Sequence, residues 1–378
     1  MTNAVKVYFP GLNGLRFLAA SAVIITHIEL IKASMGFVHC WDEPLFFNLG
    51  GLGVYFFFVL SGFLITYLLL KEKETAGNID IKKFYIRRIL RIWPLYYFIL
   101  ILGFLILPHI EGMHFSFLQE QFNANFNLNL LFYIVILPNL AFSLFPAVPH
   151  IGQAWSIGVE EQFYLFWPWL ISRTKNIKRM LYIFIGSILA FKVVILFIPM
   201  IDSYSWNEPL KRFVAMSKFE SMAIGGWGAY LLYQKHTFFM KIIFNKYIVW
   251  FSVLFIPVLV YFTPAFLQNG IHLVYSLLFL VIIINVSSNK NVLVKLESNV
   301  LSHLGNVSFG IYMYHLIVIA VVLKFYRYWG FEFNLVGENA IIYSSVFILT
   351  IIVSFISYNF FEKRFINLKS KYTIVKSN

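Results

Sequence analysis

The chain has 378 residues, of which 60% are hydrophobic and 20% aromatic but only 12% charged, with a mean hydropathy of +0.76. Soluble globular chains carry about 25% charged residues, so this sequence lacks the polar surface to face water on every side, and a bilayer is the solvent it suits. The net charge of +13 sits in short clusters between apolar runs, the pattern of cytoplasmic loops rather than of a nucleic-acid-binding face, and the single cysteine, Cys40, excludes an intrachain disulfide framework.

Apolar runs suited to crossing a bilayer lie near 12–31, 51–70, 94–108, 155–171, 180–199, 213–233, 247–263, 271–286, 305–323 and 341–361. The amino end shows no basic leader followed by a small-residue cleavage pattern, so the first run is expected to be retained. It contains "GLRFLAASAVIITH" (14–27), with Arg16 near one end and His27 at the other. Eleven steps of about 100° return nearly to the starting direction over about 16 Å, so the two side chains share a face. Alone, an arginine here would snorkel to the interface and a histidine would bridge two helices. Together they point to a polar path inside the bundle, where an imidazole is suited to general-base work. In the second run, "FFFVLSGF" places Ser61 and Gly62 among phenylalanines, either for close helix packing or to line a narrow channel.

Lys71, Lys73, Lys82, Lys83, Arg87, Arg88 and Arg91 follow that run, which puts this loop and the amino end on the cytoplasmic side. Lys83, Arg87 and Arg91 at i, i+4 and i+8, with Arg88 beside them, form a cationic stripe that ends at Trp93-Pro94, where the proline is expected to open the next span. Guanidinium groups bind phosphate oxygens in bidentate geometry, so Arg87, Arg88 and Arg91 are candidates to hold a phosphorylated carrier; anionic lipid is the competitor. From His109 to Ala154 there is no lysine or arginine, as expected outside. An eleventh apolar stretch, 128–143, carries Pro138 and Asn139. If it crossed, Arg173, Lys175, Lys178 and Arg179 would face outward, so it is expected to be non-spanning or re-entrant. The clusters from Lys235 to Lys246, at Lys290 and Lys295, and from Lys363 onward then all fall inside, giving ten spans with both ends cytoplasmic.

"WSIGVEEQFYLFWP" is expected to begin at the outer face, with Ser156, Glu160 and Tyr164 on one side of a helix, where they would orient a hydroxyl-bearing acceptor. Glu220 either lines the path or pairs with Lys218, and Gly225 and Gly226 behind it would let helices approach closely. "SFGIYMYH" sets Ser308, Tyr312 and His315 at i, i+4 and i+7, for packing, gating or chemistry. The histidines lack zinc-site spacing, so no metal is expected, and neither a P-loop nor a G-x-S-x-G elbow is present.

Taken in order, these motifs resemble the membrane acyltransferase-3 family, which includes peptidoglycan and lipopolysaccharide O-acetylases. "LNGLRFLAASAVIITH" is similar to its first helix, which carries Arg and His with ten residues between them. "GLGVYFFFVLSGFLITYLL", "FYIRRILRIWPLYY", "AWSIGVEEQFYLFWPWL" and "LGNVSFGIYMYHLIV" are similar to its later elements, so the likeness covers nearly the whole chain. The resemblance implies an all-α integral membrane protein of about ten transmembrane helices, one domain over 1–378 without a fused soluble domain, in the cytoplasmic membrane. It implies an O-acyltransferase, in the first place an O-acetyltransferase, that uses cytosolic acetyl-CoA or another acyl-CoA as substrate and holds no cofactor tightly. The acceptor would be a hydroxyl of a cell-envelope or extracellular glycan, with lipopolysaccharide, capsule or exopolysaccharide favoured over peptidoglycan. His27 and Glu160 would be catalytic, His27 as general base or transient acyl carrier, and Arg16, Arg87, Arg88 and Arg91 would bind the donor. Glu160 sits at the family's glutamate and His315 at its late histidine, whereas Gln153 stands where many relatives carry histidine. A transporter or flippase of a lipid-linked or acylated molecule, and a succinyl or other acyltransferase, are the alternatives. The expectation common to these residues is one shared corridor from an inner nucleotide pocket past Arg16 and His27 to an outer sugar pocket.

Overall fold

The computed structural model describes residues 5–113, 116–197, 207–263, 268, 270–292, 294–330 and 334–377. The end of the 180–199 run lies outside the described residues. The fold is all-α apart from one short strand pair.

Helix α1 (Leu12–Ser34) and helix α2 (Pro44–Ala76) form an antiparallel pair. Helix α3 (Ile81–Ile101) is capped by Asp80, whose carboxylate accepts from the Lys83 N–H at 2.9 Å. That bond, with the Lys83 ammonium 3.0 Å away, holds the Asp80 carboxyl below the usual carboxylate range. Pro94 does not open a new span: it lies inside α3, so the cationic stripe and the apolar run are one helix. A proline removes one backbone donor, a loss a helix packed on its neighbours tolerates. The 128–143 stretch is divided between helix α5 (Phe126–Ile134) and helix α6 (Pro138–Leu144), which follow the short helix α4 (Ser116–Ala124). Between α5 and α6 Ile136 adopts φ 58° and Pro138 starts the second helix; neither piece is long enough to cross a bilayer.

Helix α7 (Trp155–Arg173) ends where Lys73 of α2 donates to the carbonyls of Ile171 and Ser172 at 3.0 Å and Thr174 at 3.1 Å. A lysine here satisfies the orphan carbonyls of the last turn. Helix α8 (Ile177–Phe197) follows. The expected 213–233 run is broken at Ser217–Lys218 into helix α9 (Asn207–Met216) and helix α10 (Phe219–Tyr233). The break frees the Ser217 carbonyl, which the Lys192 ammonium of α8 contacts at 2.7 Å. Helix α11 (Thr237–Ile243) and helix α12 (Lys246–Tyr261) make a pair bent by 56°. Helix α13 (Ile271–Ser288), helix α14 (Asn299–Asn306), helix α15 (Ser308–Trp329), helix α16 (Leu335–Ser357) and helix α17 (Lys363–Lys369) complete the chain. Among the described residues six helical stretches are long and apolar enough to cross a membrane, or seven if α11–α12 counts as one span.

A parallel pairing between β1 (Val5–Val7) and β2 (Val375–Ser377), with Val5 opposite Val375, was not expected from the apolar runs. It brings the two ends of the chain side by side.

Helix α2 is central and packs on α1, α7, α10, α12 and α13. Its contact with α10 is backbone to backbone. A Cβ at Gly62 would fall 1.8 Å from the Met222 carbonyl oxygen, and one at Gly225 would fall 2.0 Å from that of Val59. Gly62 therefore serves helix approach, as small residues do in membrane bundles, and neighbouring Ser61 faces a cavity. Gly62→Ala is expected to push α2 and α10 apart at a cost of about 1–3 kcal/mol, read as a lower thermal midpoint of the detergent-solubilised protein. An unchanged midpoint would contradict the contact.

Candidate active site

Two cavities lie one beyond the other along α1. The first, about 130 Å³, lies nearer the chain ends and is lined by Arg16, Arg88, Arg91, Glu160, Tyr164 and Lys369, with Ser61, Ser156, Ser308 and Tyr312 around them. It adjoins a vestibule of about 290 Å³, with which it shares Ile65, Leu68, Arg88 and Lys369; Val375 of β2 lines the vestibule, so it lies at the end of the bundle where the chain ends meet. The other cavity, about 270 Å³, is lined by His27, Ser34, His150, Gln153, Trp155 and Leu316, among others.

The first cavity gathers positive charge. Arg16 Nη1 donates to Asn13 Oδ1 at 3.0 Å, and Arg88 lies 5.6 Å above the rings of both Phe84 and Tyr164. Among the described residues none of Arg16, Arg88, Arg91 and Lys369 has a salt bridge, and Glu160 is the single carboxylate of the lining. Both Glu160 oxygens are already taken by hydroxyls, Oε1 by Ser61 at 2.7 Å and Oε2 by Tyr164 at 2.8 Å. Four cations sharing a recess with a single carboxylate repel one another and are poorly solvated. Such a recess suits a polyanionic ligand.

The expectation that Ser156, Glu160 and Tyr164 stand at the outer face is corrected here. They line the first cavity with the arginines, not the cavity of His27. Residues 148–154 before α7 are all buried, so the helix begins packed against protein rather than at the surface of the bundle. Glu161, one position on, accepts from the Trp93 indole N–H at 2.9 Å and ties α7 to α3.

Arg87 also departs from expectation. It does not line the first cavity; its guanidinium donates to Glu72 Oε2 and to the Tyr372 carbonyl, each at 2.8 Å. It fastens the carboxyl tail to the α2–α3 corner.

The single corridor is likewise corrected. Arg16 and His27 line different cavities, and a hydrogen-bonded layer stands between them. The Tyr312 hydroxyl donates to the Gln153 carbonyl at 2.9 Å and lies 2.7 Å from Ser156 Oγ. Ser156 and Tyr312 face the first cavity and Gln153 the second, so this layer is about one residue thick. Helix α15 carries both sides of it: Ser308, its hydroxyl donating to the Gly305 carbonyl at 2.8 Å, faces the first cavity, and His315 packs fully buried against His27.

The bonds of the two histidines fix their tautomers. His315 Nδ1 lies 2.6 Å from the Tyr312 carbonyl and His27 Nδ1 lies 2.9 Å from that of Val23. A carbonyl only accepts, so both Nδ1 atoms carry the proton. His315 Nε2, 3.2 Å from His27 Nδ1, then presents a lone pair to that N–H. That leaves His27 Nε2 without the proton, on a residue that lines the second cavity and has His315 packed behind it.

Glu220 lines neither cavity. It is buried between α8, α10 and α13, in contact with the Lys192 ammonium and 2.7 Å from His272 Nε2. Lys218, the partner in the alternative to a path-lining role, lies 5.6 Å over the Tyr55 ring instead.

A family model described as an acyltransferase domain matches residues 9–359. The chain belongs to the acyltransferase-3 family. A protein of Staphylococcus aureus strain COL carrying the name "Putative O-acetyltransferase" is 30% identical to this acyltransferase-3 chain over 377 residues, covering 95% of it and 57% of the relative. The peptidoglycan O-acetyltransferase OatA of Listeria monocytogenes is 33% identical over 208 residues, 52% of this chain and 30% of its own. The chain spans little more than half the length of the curated relatives it matches. No solved structure matches it.

Sequence reasoning missed Lys369 and His150. Lys369 belongs to a basic tail that reads as a topology signal, and nothing local ties it to Arg16, 353 positions away. His150, held at φ 63° with Nε2 2.8 Å from the Met113 carbonyl, puts a second histidine in the His27 cavity, which Gln153 also lines.

Proposed function

We propose that this acyltransferase is a membrane O-acyltransferase, in the first place an O-acetyltransferase, moving an acyl group from cytosolic acyl-CoA to a hydroxyl of a cell-envelope glycan. The observation that carries the reading is the pairing of an anion-seeking recess with the bare Nε2 of His27, one hydrogen-bonded layer apart. Arg88 and Arg91 hold the phosphates of the donor, and Arg16 and Glu160 meet its reacting end. The acceptor hydroxyl enters from the His27 side. The hydroxyl proton passes to His27 Nε2, the oxygen bonds to the thioester carbon, the C–S bond breaks, and the thiolate takes up the proton to leave as free CoA. In the carrier variant of the same chemistry, His27 Nε2 takes the acyl group first. In either case the Tyr312–Ser156–Gln153 layer opens for the acyl group to reach the acceptor.

The topology belongs to the same proposal: one domain, ten crossings of the cytoplasmic membrane, and both described ends cytoplasmic. It adds α7, α8 and α9–α10 to the seven spans above and keeps 128–143 re-entrant. The β1–β2 pairing supports an even number of crossings, because paired strands share one side of the membrane. The positive-inside pattern names that side.

Inverted vesicles supplied with acetyl-labelled acetyl-CoA test the reaction. Label is expected in ester linkage on envelope glycan, read by mass spectrometry, and in none when the protein is absent. Glycan that crosses the membrane without gaining an acyl group would make this a transporter; succinyl esters from succinyl-CoA alone would change the donor.

A further inference from the structure

We infer that Lys369 of the carboxyl-terminal helix α17 is a ligand for the donor's phosphates, placed where the vestibule opens into the first cavity. The inference rests on the acyl-CoA reading above and adds a residue and a segment to it.

Only two cations, Arg88 and Lys369, line both the first cavity and the vestibule among the described residues. A nucleotide-bearing thioester that reaches Glu160 with its acyl end must trail its phosphates past that junction. Arg87, which also lines the vestibule, is spent on Glu72 and Tyr372. The acids near the junction have other partners as well: Glu72 Oε1 accepts from the Asp80 N–H at 3.0 Å, and Glu362 Oε1 accepts from the Ser357 hydroxyl at 2.9 Å. The Lys369 ammonium has neither a salt bridge nor a hydrogen bond among the described residues, although three guanidinium groups face the same cavity. A protein does not turn a lysine toward three arginines for its own stability; an anion between them reverses the sign of that arrangement.

The segment is also held in place, as a binding element must be. Helix α17 packs on α3, Arg87 fastens the Tyr372 carbonyl, the Thr373 hydroxyl donates to the Lys369 carbonyl at 2.9 Å, and β2 pairs with β1. Ile366, Asn367, Ser370 and Thr373 from the same segment complete the vestibule wall. The tail therefore forms one wall of the nucleotide pocket, and Lys369, a compact charge on a flexible stem, is suited to a phosphate whose position shifts as the donor enters.

The test is calorimetric binding of CoA, which has no acyl group to turn over, to the full chain in phosphatidylcholine nanodiscs, where no anionic headgroup competes. Lys369→Gln is expected to weaken CoA about 10-fold or more, the effect of one charge-assisted hydrogen bond, and Lys369→Arg to restore most of it. Pantetheine, which lacks the nucleotide, should bind parent and Lys369→Gln alike, and the salt dependence of CoA binding should be shallower in the variant. Lys369→Met, which keeps the stem, replaces Lys369→Gln if the latter misfolds. Equal CoA affinity in parent and variant overturns the inference and leaves the donor reading standing. Failure of the parent chain to bind CoA overturns the donor reading and the inference with it.

Discussion

Replacing His27 by alanine is expected to slow acyl transfer by about 10²–10⁴-fold, the range a positioned general base supplies, with the donor still bound as tightly as by the parent chain. The split follows from the two cavities. His27 faces the second, with Gln153 and Trp155, whereas the cations that would hold the donor face the first. Single-turnover transfer to glycan and CoA titration, measured on the same preparation, read the two quantities separately. Loss of both together would place His27 in the fold or in donor binding rather than in the chemistry. Full transfer by His27→Ala would remove both the base and the carrier schemes. His315→Phe adds a finer reading: it removes the lone pair that faces the His27 Nδ1–H at 3.2 Å, so transfer should fall less than in His27→Ala, with the pH dependence of the step displaced.

Glu220→Ala is expected to cost about 3–5 kcal/mol of stability, the penalty for leaving a buried charge without its partner. Glu220 is fully buried and contacts both the Lys192 ammonium and His272 Nε2. Its removal strands a lysine and a histidine among α8, α10 and α13, next to the Ser276 hydroxyl's 2.8 Å bond to Ser221. The thermal midpoint and the yield of folded protein measure the effect. Because Glu220 lines neither cavity, the fraction that folds should bind CoA normally. A stable Glu220→Ala protein that binds CoA poorly would return Glu220 to the substrate path, where the sequence alone had left room for it.

Much of this protein was legible in its sequence. Apolar runs and scarce charge demanded a bilayer, since those properties act residue by residue through solvation. The motifs containing Arg16, His27, Glu160 and His315 carried the family, and the helical period put Ser308, Tyr312 and His315 on one side of α15. The broken 128–143 stretch was readable from Pro138 for the same local reason. Breaks such as Ser217–Lys218 were less so, because a carbonyl freed there is tolerated only when Lys192 of another helix reaches it.

Only the packed structure decided how those parts meet. It placed Glu160 with the arginines rather than with His27, because the start of α7 is buried. It committed Arg87 to the tail, divided one expected corridor with the Tyr312 hydroxyl, and brought Lys369 beside Arg16 and β1 beside β2. Periodicity and hydropathy are properties of neighbours along the chain, whereas these arrangements join residues up to several hundred positions apart. Their energies come from burial, from backbone contact at glycines such as Gly62, and from the need of each polar group in a membrane to find a partner.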